Sequence, residues 1–226
     1  MNNKKVIILG DSIAKGVVYS EDKRRYTILE DNCVKRLTRD TGVDITNLSS
    51  MGRTCADAFK TLERAELDKD TIVVLEYGGN DSDMPWKEVS QAPDSEHSAR
   101  VPLPIFTQNM AALIERVRET GAQPVLTTPL PVDAERYFAW VSRSLDPHAI
   151  LSWLGDVQHI YRWQERYDIA VRQIAAELGV KLFDIRTRFL MERSIGDFMS
   201  IDGIHPNAEG HRIIKETALD YLAGAM

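Results

Sequence analysis

The chain has 226 residues, of which 43% are hydrophobic and 27% charged, a composition typical of a water-soluble globular protein. Its formal net charge is -6 with acidic and basic residues interspersed, which argues against nucleic acid as a main partner because phosphate binding needs a concentrated basic face. The first residues lead into an apolar run too short for a secretory signal or a membrane span, so we expect a cytoplasmic protein without stable membrane insertion.

Five short apolar segments are predicted to form strands. Segments 5–9 and 71–77 are apolar without alternation and are each followed by glycine, as expected for strands buried on both faces of a parallel sheet. Segment 43–48 alternates between apolar and polar residues, as an edge strand with one exposed face would. Segments 122–127 and 180–184 complete the set of candidate strands.

Helical periodicity fills the gaps between these strands. Apolar residues recur at helical spacing over 27–40, 54–66, 106–119, 157–178 and 208–222. Strands that alternate with helices predict an α/β fold, with a mostly parallel sheet between two helical layers. We therefore expect a three-layer α/β/α sandwich, and about five strands suit the flavodoxin-like arrangement.

We expect a single domain over residues 1–226 with two insertions, at about 81–105 and 129–160. Both segments are longer than ordinary βα loops, and both follow the carboxyl ends of predicted strands, where open α/β sheets bind ligands. The segment 129–167 contains three of the four tryptophans. We expect its aromatic residues mostly to form the small core of extra helices, with one or two facing a substrate.

A serine that could act as a nucleophile follows the first predicted strand. In Gly10-Asp11-Ser12 it lies at a strand-to-loop corner, which would expose its hydroxyl above the sheet. The same tripeptide could be an ordinary loop start in which Asp11 or Ser12 caps a turn. A serine needs a base before it becomes a useful nucleophile, so the choice depends on a histidine.

Among the five histidines, His205 has the surroundings expected of a catalytic base. Asp202 precedes it by three residues across a glycine turn, so the carboxylate could fix the imidazole tautomer and favour the charged ring. A loop histidine capped by a nearby aspartate would show the same pattern. The other histidines are expected to be surface or structural residues: His97, His148, His159 and His211. The spacing of His205 and His211 does not match a helical zinc site, so we expect no metal.

Two further turns could supply hydrogen-bond donors to an oxyanion. Gly52 follows the second predicted strand, where a glycine N–H could point at a ligand without a side chain in the way. Asn80 follows the third, and its side-chain amide could reach the same space. Glycine and asparagine are also common in turns of no catalytic importance, so each signal alone is weak.

Together these features resemble the SGNH/GDSL hydrolase superfamily. The resemblance rests on four blocks in the family's order: Gly-Asp-Ser-Ile at 10–13, Asn-x-Ser-x-x-Gly-x-Thr at 47–54, Gly-x-Asn-Asp at 78–81 and Asp-x-x-His-Pro at 202–206. Isoleucine replaces the family's leucine at position 13. The resemblance implies the SGNH hydrolase fold.

The resemblance also implies roles for individual residues. Ser12 would be the nucleophile, His205 its base and Asp202 the residue that orients His205. Gly52, Asn80 and the backbone N–H of Ser12 would form the oxyanion hole. The implied activity is hydrolysis of carboxylic esters through an acyl-serine, for example deacetylation of a sugar or cleavage of a lysophospholipid, without a cofactor. The expected partner is a small-molecule, glycan or lipid ester.

Two other functions are compatible with parts of this pattern. A weakly catalytic or non-catalytic carbohydrate-binding protein on the same fold would leave His205 far from Ser12. A flavodoxin-like domain that binds phosphate or a mononucleotide would use the loop 10–16, but this loop has no GxxxxGK[ST] pattern and carries Asp11. The distance between residues 12 and 205 therefore separates an esterase from the binding protein.

Overall fold

A computed structural model describes residues 5–224; residues 1–4, where the segment used to judge a secretory signal begins, lie outside the described residues, as do 225 and 226. The described strands are β1 (Lys5–Gly10), β2 (Val17–Ser20), β3 (Arg25–Ile28), β4 (Ile45–Asn47), β5 (Thr71–Glu76), β6 (Gln123–Thr127) and β7 (Lys181–Phe183). A parallel sheet has the order β4-β1-β5-β6-β7, while β2 and β3 form a separate antiparallel hairpin. With its five strands numbered along the chain, the sheet has the flavodoxin-like order 2-1-3-4-5, which confirms the predicted fold class.

The helices alternate with these strands as the periodicity predicts. They are α1 (Ser12–Lys15), α2 (Cys33–Thr41), α3 (Cys55–Leu62), α4 (Gly79–Ser82), α5 (Trp86–Gln91), α6 (Leu103–Glu119), α7 (Ala134–Ser142), α8 (Pro147–Leu154), α9 (His159–Glu177), α10 (Ile185–Leu190) and α11 (Ala208–Leu222), with a 3-10 turn at Ile195–Phe198. None of the helices within residues 5–224 has both the length and the apolar character required to cross a lipid bilayer.

Helices cover both faces of the sheet because the central strands are apolar on both faces. Alternate side chains of β1, Ile7 and Leu9, are buried against α3, α6 and α9. Ile8, between them, points to the opposite face, where α2 and α11 pack. Burial on both faces explains why β1 reads as a continuous apolar run.

The predicted helix at 27–40 is wrong in its first part. Residues up to Ile28 belong to β3, which pairs with β2, and the Ile28 side chain is 54% exposed rather than on a buried helix face. The helix begins at Cys33, because the Asn32 side chain caps it by accepting a hydrogen bond from the Lys35 N–H at 3.2 Å. The predicted helix starts with the β-branched residues Thr27 and Ile28, which favour a strand.

Other element boundaries differ by a few residues. The helix predicted at 106–119 starts at Leu103, since a proline is favourable in the first turn. The insertions at 81–105 and 129–160 are not plain loops: the first contains α5 and the second contains α7 and α8. Both insertions lie beside the carboxyl ends of β5 and β6, and they supply much of the lining of the cavity described next.

Candidate active site

A hydroxyl, an imidazole and a carboxylate form a continuous hydrogen-bonded chain at the carboxyl end of β1. The Ser12 Oγ lies 2.8 Å from Nε2 of His205, and Nδ1 of His205 lies 2.6 Å from Oδ2 of Asp202. All three residues are buried, at 5%, 4% and 0% exposure. The sequence predicted this grouping, and the structure brings the three side chains together in the order needed for a serine nucleophile.

The Asp202–His205 turn is held by its own carboxylate and by the second insertion. Oδ1 of Asp202 accepts hydrogen bonds from the N–H groups of Ile204 and His205, each at 3.1 Å. Gly203 adopts a φ of +75°, and a Cβ there would lie 2.6 Å from the carbonyl oxygen of Asp133. A larger residue at position 203 would therefore push the turn away from α7.

The electrostatics of the pair keep the Asp202 carboxylate charged. Burial acts to raise the pKa of Asp202, but the hydrogen bond and the charge of His205 outweigh it and hold that pKa below its ordinary value. Asp202 therefore stays ionised beside the ring. An ionised carboxylate on Nδ1 leaves Nε2 as the nitrogen that can accept the Ser12 proton.

Two buried carboxyl groups shape the corner that presents Ser12. Asp11 caps α1 by accepting a hydrogen bond from the Ile13 N–H at 2.8 Å, and Glu76 accepts one from the Asp11 N–H at 3.0 Å. Burial raises the pKa of Asp11 to about 6. Burial and the neighbouring Asp11 raise the pKa of Glu76 well above its ordinary value. Asp11 thus has the capping role considered in the sequence, in addition to placing Ser12.

The three predicted oxyanion-hole residues, Ser12, Gly52 and Asn80, line one cavity. In the described part of the chain, the backbone N–H groups of Ser12 and Gly52 donate to no protein acceptor. Gly52 has a φ of +75°, and a Cβ built there meets nothing within 4 Å. The glycine is therefore required by its left-handed backbone conformation, and not, as the sequence suggested, by a need for space.

Arg100, which the sequence did not single out, connects two of these residues. Its Nη2 donates to the Gly52 carbonyl oxygen at 3.0 Å, and its Nη1 donates to Oδ1 of Asn80 at 3.4 Å. On the other side of the Asn80 amide, Nδ2 donates to Oδ2 of Asp11 at 2.8 Å. Both ends of the amide are held, and Nδ2 keeps a second hydrogen for another acceptor.

The β2–β3 hairpin supplies a second residue that the sequence missed. The Tyr26 ring lies against His205 with ring centroids 5.1 Å apart, and its other side contacts Trp140. Burial and the charge of Asp202 raise the pKa of the Tyr26 hydroxyl. No strand is predicted from the sequence within residues 17–28, so only the folded chain reveals this neighbour of the imidazole.

The cavity in front of Ser12 has a wall of aromatic rings from both insertions and the start of α9. Five rings contact one another in series, with neighbouring centroids 6.0 to 6.5 Å apart. We call this series the aromatic wall; its members are Tyr137, Trp86, Trp153, His159 and Trp163. Of the aromatic residues in 129–167, Tyr137, Trp153 and Trp163 line the cavity; how many of them face a substrate stays a prediction.

The remaining histidines have different surroundings. His159 was expected to be a surface or structural residue, but it lines the cavity and stacks on Trp153 with an interplanar angle of 2°. His211 is fully buried and accepts a hydrogen bond from the Cys33 N–H at 3.5 Å, as a structural histidine would. His148 is exposed. Among the histidines that the structure describes, His205 alone has a hydrogen bond with Ser12.

Comparison with known proteins agrees with the geometry. The family model described as GDSL-like lipase/acylhydrolase matches residues 8–213 of this chain. Similar solved structures include a lipase/acylhydrolase from Enterococcus faecalis, with 17% identity, a TM-score of 0.65 and coverage of 98% of this chain and 96% of the other. No curated protein matches this sequence.

Two esterases have the same fold. An acetyl-xylooligosaccharide esterase from Geobacillus is 18% identical with a TM-score of 0.61, over 96% of this chain and 92% of the other. The esterase EstA from Pseudoalteromonas is 17% identical with a TM-score of 0.63, over 98% and 97%. At these identities the likeness establishes the fold only.

Proposed function

This chain belongs to the GDSL-like lipase/acylhydrolase family, and from that premise we propose that it hydrolyses carboxylic esters with Ser12 as the nucleophile. The observation that carries the proposal is the 2.8 Å contact between Ser12 Oγ and His205 Nε2, continued to Asp202. The two esterases with the same fold add support for an ester as the substrate class.

The first half of the proposed reaction transfers the acyl group to the protein. The Ser12 oxygen attacks the ester carbonyl carbon while Nε2 of His205 takes the hydroxyl proton, and Asp202 stabilises the charged ring. The tetrahedral intermediate collapses when the bond from carbon to the alcohol oxygen breaks. His205 then gives its proton to the leaving alcohol. General acid–base catalysis of this kind contributes about 10²- to 10⁴-fold to the rate.

The negative oxygen of the intermediate is proposed to lie among three donors. They are the N–H groups of Ser12 and Gly52 and the second hydrogen on Nδ2 of Asn80. Each donor of this kind is worth roughly 2.7–4 kcal/mol in the transition state. Since the two backbone N–H groups have no protein acceptor, they can bind the oxyanion without breaking an existing bond.

The second half returns the enzyme to its starting state. Water attacks the acyl-serine carbon and loses a proton to His205, the bond to Ser12 breaks, and His205 returns the proton to the serine oxygen. The products are a carboxylic acid and free enzyme. Every proton in this cycle passes through Nε2 of His205.

A fluorophosphonate probe and a short p-nitrophenyl ester test the proposal directly. The wild-type protein is expected to be labelled at Ser12 and to hydrolyse p-nitrophenyl acetate, while Ser12→Ala keeps its fold by circular dichroism and loses both reactions. Activity retained in Ser12→Ala would rule out the nucleophile. A carbohydrate-binding protein without catalysis would show neither labelling nor turnover in the wild type.

A further inference from the structure

Three hydrogen-bonding groups of the aromatic wall already have protein partners, whereas Nε1 of Trp163 is buried without a partner among the described residues. Nε1 of Trp86 donates to Asp83 at 2.9 Å, and the Tyr137 hydroxyl donates to the same carboxylate at 2.5 Å. Nδ1 of His159 lies 2.7 Å from the carbonyl oxygen of Leu154. A sugar in this cavity would need partners for several hydroxyl groups, and these atoms are already engaged. The wall therefore offers a bound group mainly apolar ring surface.

The polar side chain beyond the wall is also occupied. Gln164 lines the cavity, but its Nε2 donates to the Leu130 carbonyl oxygen and its Oε1 accepts from Arg186 at 2.8 Å. Aliphatic side chains complete this part of the lining: Met84, Leu130, Val132, Leu154 and Ile160. A ligand here replaces water with apolar contact, which favours a hydrocarbon group.

The cavity lining offers no lysine or arginine charge to an anionic ligand. No residue of either type is among the described residues that line it, and its carboxyl groups belong to Asp11, Glu76 and Asp83. A phosphate or carboxylate held there would lose its hydration and gain no opposite charge. The group that fits is uncharged.

The size of the cavity limits the length of such a group. Its volume of about 230 Å³ is below the range of roughly 300–1,000 Å³ that is usual for ligand pockets. Because the cavity begins at Ser12 and His205, the bound group must be close to the reacting carbonyl.

We infer that the aromatic-walled cavity binds an uncharged apolar acyl group of several carbons, so that the substrates are esters of short to medium acyl chains rather than acetylated sugars or phosphate-bearing acyl groups. This inference rests on the proposed ester hydrolysis at Ser12. The acyl carbonyl lies at the oxyanion donors, and the acyl chain extends along the aromatic wall.

A series of p-nitrophenyl esters from acetate to decanoate tests the inference with one leaving group. Each methylene buried in the cavity is expected to raise kcat/KM about three- to fourfold, so butyrate should exceed acetate about tenfold, with a fall once the cavity is full. A second series, with acetate as the fixed acyl group and alcohols of increasing size, should show less than threefold variation.

Two substitutions connect the preference to the wall. Trp153 and Trp163 are both only partly buried, so Trp153→Ala and Trp163→Ala should each fold, which melting temperature can verify. Each is expected to lower the ratio of hexanoate to acetate kcat/KM at least fivefold or to move the optimum to longer chains. The matched control is Trp140→Ala, because Trp140 is also partly buried in the second insertion but does not line the cavity. Its ratio should equal that of the wild type.

The outcomes separate this inference from the proposed function. Hydrolysis of acetate esters without a preference for longer acyl chains, or with acetylated xylose preferred, would overturn the acyl pocket and leave the esterase intact. A Trp163→Ala effect that follows the size of the alcohol would place the leaving group in the cavity and overturn it too. Failure of the wild type to cleave any ester in either series would instead reject the proposed function.

Discussion

Nε2 of His205 lies 2.8 Å from Oγ of Ser12, although 193 residues separate them in the chain. Ser12 follows the first strand of the sheet, and His205 precedes the last helix. Neither residue can be assigned a catalytic role from its own neighbourhood, because strand-end serines and loop histidines are common. Their contact in the folded chain places an imidazole where it could act as a base for the serine.

Asp202 is expected to matter through the tautomer of His205. Replacing it with asparagine retains a side chain of the same shape, but the neutral amide can no longer hold Nδ1–H and stabilise the charged ring. We expect Asp202→Asn to lower kcat about 10³- to 10⁴-fold with a KM within about threefold of wild type. Steady-state kinetics on p-nitrophenyl butyrate measure both constants.

The control is Asp197→Asn, which changes an exposed aspartate of the same late segment. It should retain wild-type kcat. A loss of less than tenfold in Asp202→Asn would contradict the proposed role of the Asp202–His205 hydrogen bond in setting the tautomer and stabilising the charged ring.

Asn80 is expected to stabilise the transition state rather than bind substrate. Asn80→Ala removes the only side-chain donor among the three proposed oxyanion groups, so kcat should fall about 10²- to 10³-fold while KM changes little. The comparison variant is Asn109→Ala. Asn109 lies on α6, its side chain donates to Cys55 Sγ at 3.6 Å, and it is not among the residues that line the cavity. If Asn80→Ala raised KM and spared kcat, Asn80 would be a substrate-binding residue.

The sequence predicted those parts of the molecule whose signal is local. The apolar run of β1 and the glycine that ends it are visible without the fold, because a strand buried on both faces has to be apolar throughout. The block around Ser12 could be placed at a strand end and the block around His205 in a turn before the last helix, because the neighbouring strand and helix are recognisable from their own sequences. Each block alone matches an ordinary turn. A joint catalytic role could be inferred only because all four blocks occur in the family's order.

The parts that the sequence did not predict depend on contacts between distant segments. The β2–β3 hairpin is short and half exposed, and its Tyr26 gains its role only by packing on His205. Arg100 looks like any cation in a polar loop. The rings of 129–167 have helical spacing whether they fill a small core or line a cavity, so periodicity could not distinguish Trp163 as a wall residue from a core residue.

Arg100 is expected to act by holding Gly52 and Asn80 in place. The backbone at Arg100 is fixed by two hydrogen bonds. The Arg100 N–H donates to the Asp83 carbonyl oxygen at 2.9 Å, and the Val101 N–H donates to the Asp81 carbonyl oxygen at 3.0 Å. Arg100→Ala should lower kcat about three- to tenfold with little change in KM, since the donors lose order but remain present. Arg100→Lys can satisfy one acceptor and should lose less.

Two measurements distinguish this positioning from a general loss of stability. Added guanidinium at millimolar concentration should restore part of the kcat of Arg100→Ala, which a destabilised fold would not permit. Arg53→Ala is the matched control, because Arg53 lies in the same loop as Gly52 but pairs with Asp57 at 2.9 Å. Equal losses of kcat in the Arg100 and Arg53 variants would count against a specific role.

His211 is expected to make the stability of the protein sensitive to mild acid. Its ring is fully buried, Nε2 has no partner among the described residues, and burial lowers its pKa to about 4 from an ordinary 6.5. Below about pH 6.5 the unfolded chain takes up a proton at this ring while the folded protein does not. The free energy of unfolding therefore falls as pH decreases from about 6.5 to 4, by at most roughly 3 kcal/mol.

Comparing the wild type with His211→Asn isolates this contribution. Asp11 has the opposite effect, because its raised pKa of about 6 lets the folded state bind a proton first and gain stability as pH falls towards 4. Both proteins share the Asp11 contribution, so it cancels in their difference. Urea unfolding at several pH values between 7 and 4.5 measures the free energy of unfolding of each protein. The deficit of His211→Asn relative to the wild type should shrink as pH falls. The control His148→Asn, at an exposed residue, should have the same pH dependence as the wild type. A difference between wild type and His211→Asn that stays constant with pH would mean that His211 has the same pKa in the folded and the unfolded protein, and would contradict this prediction.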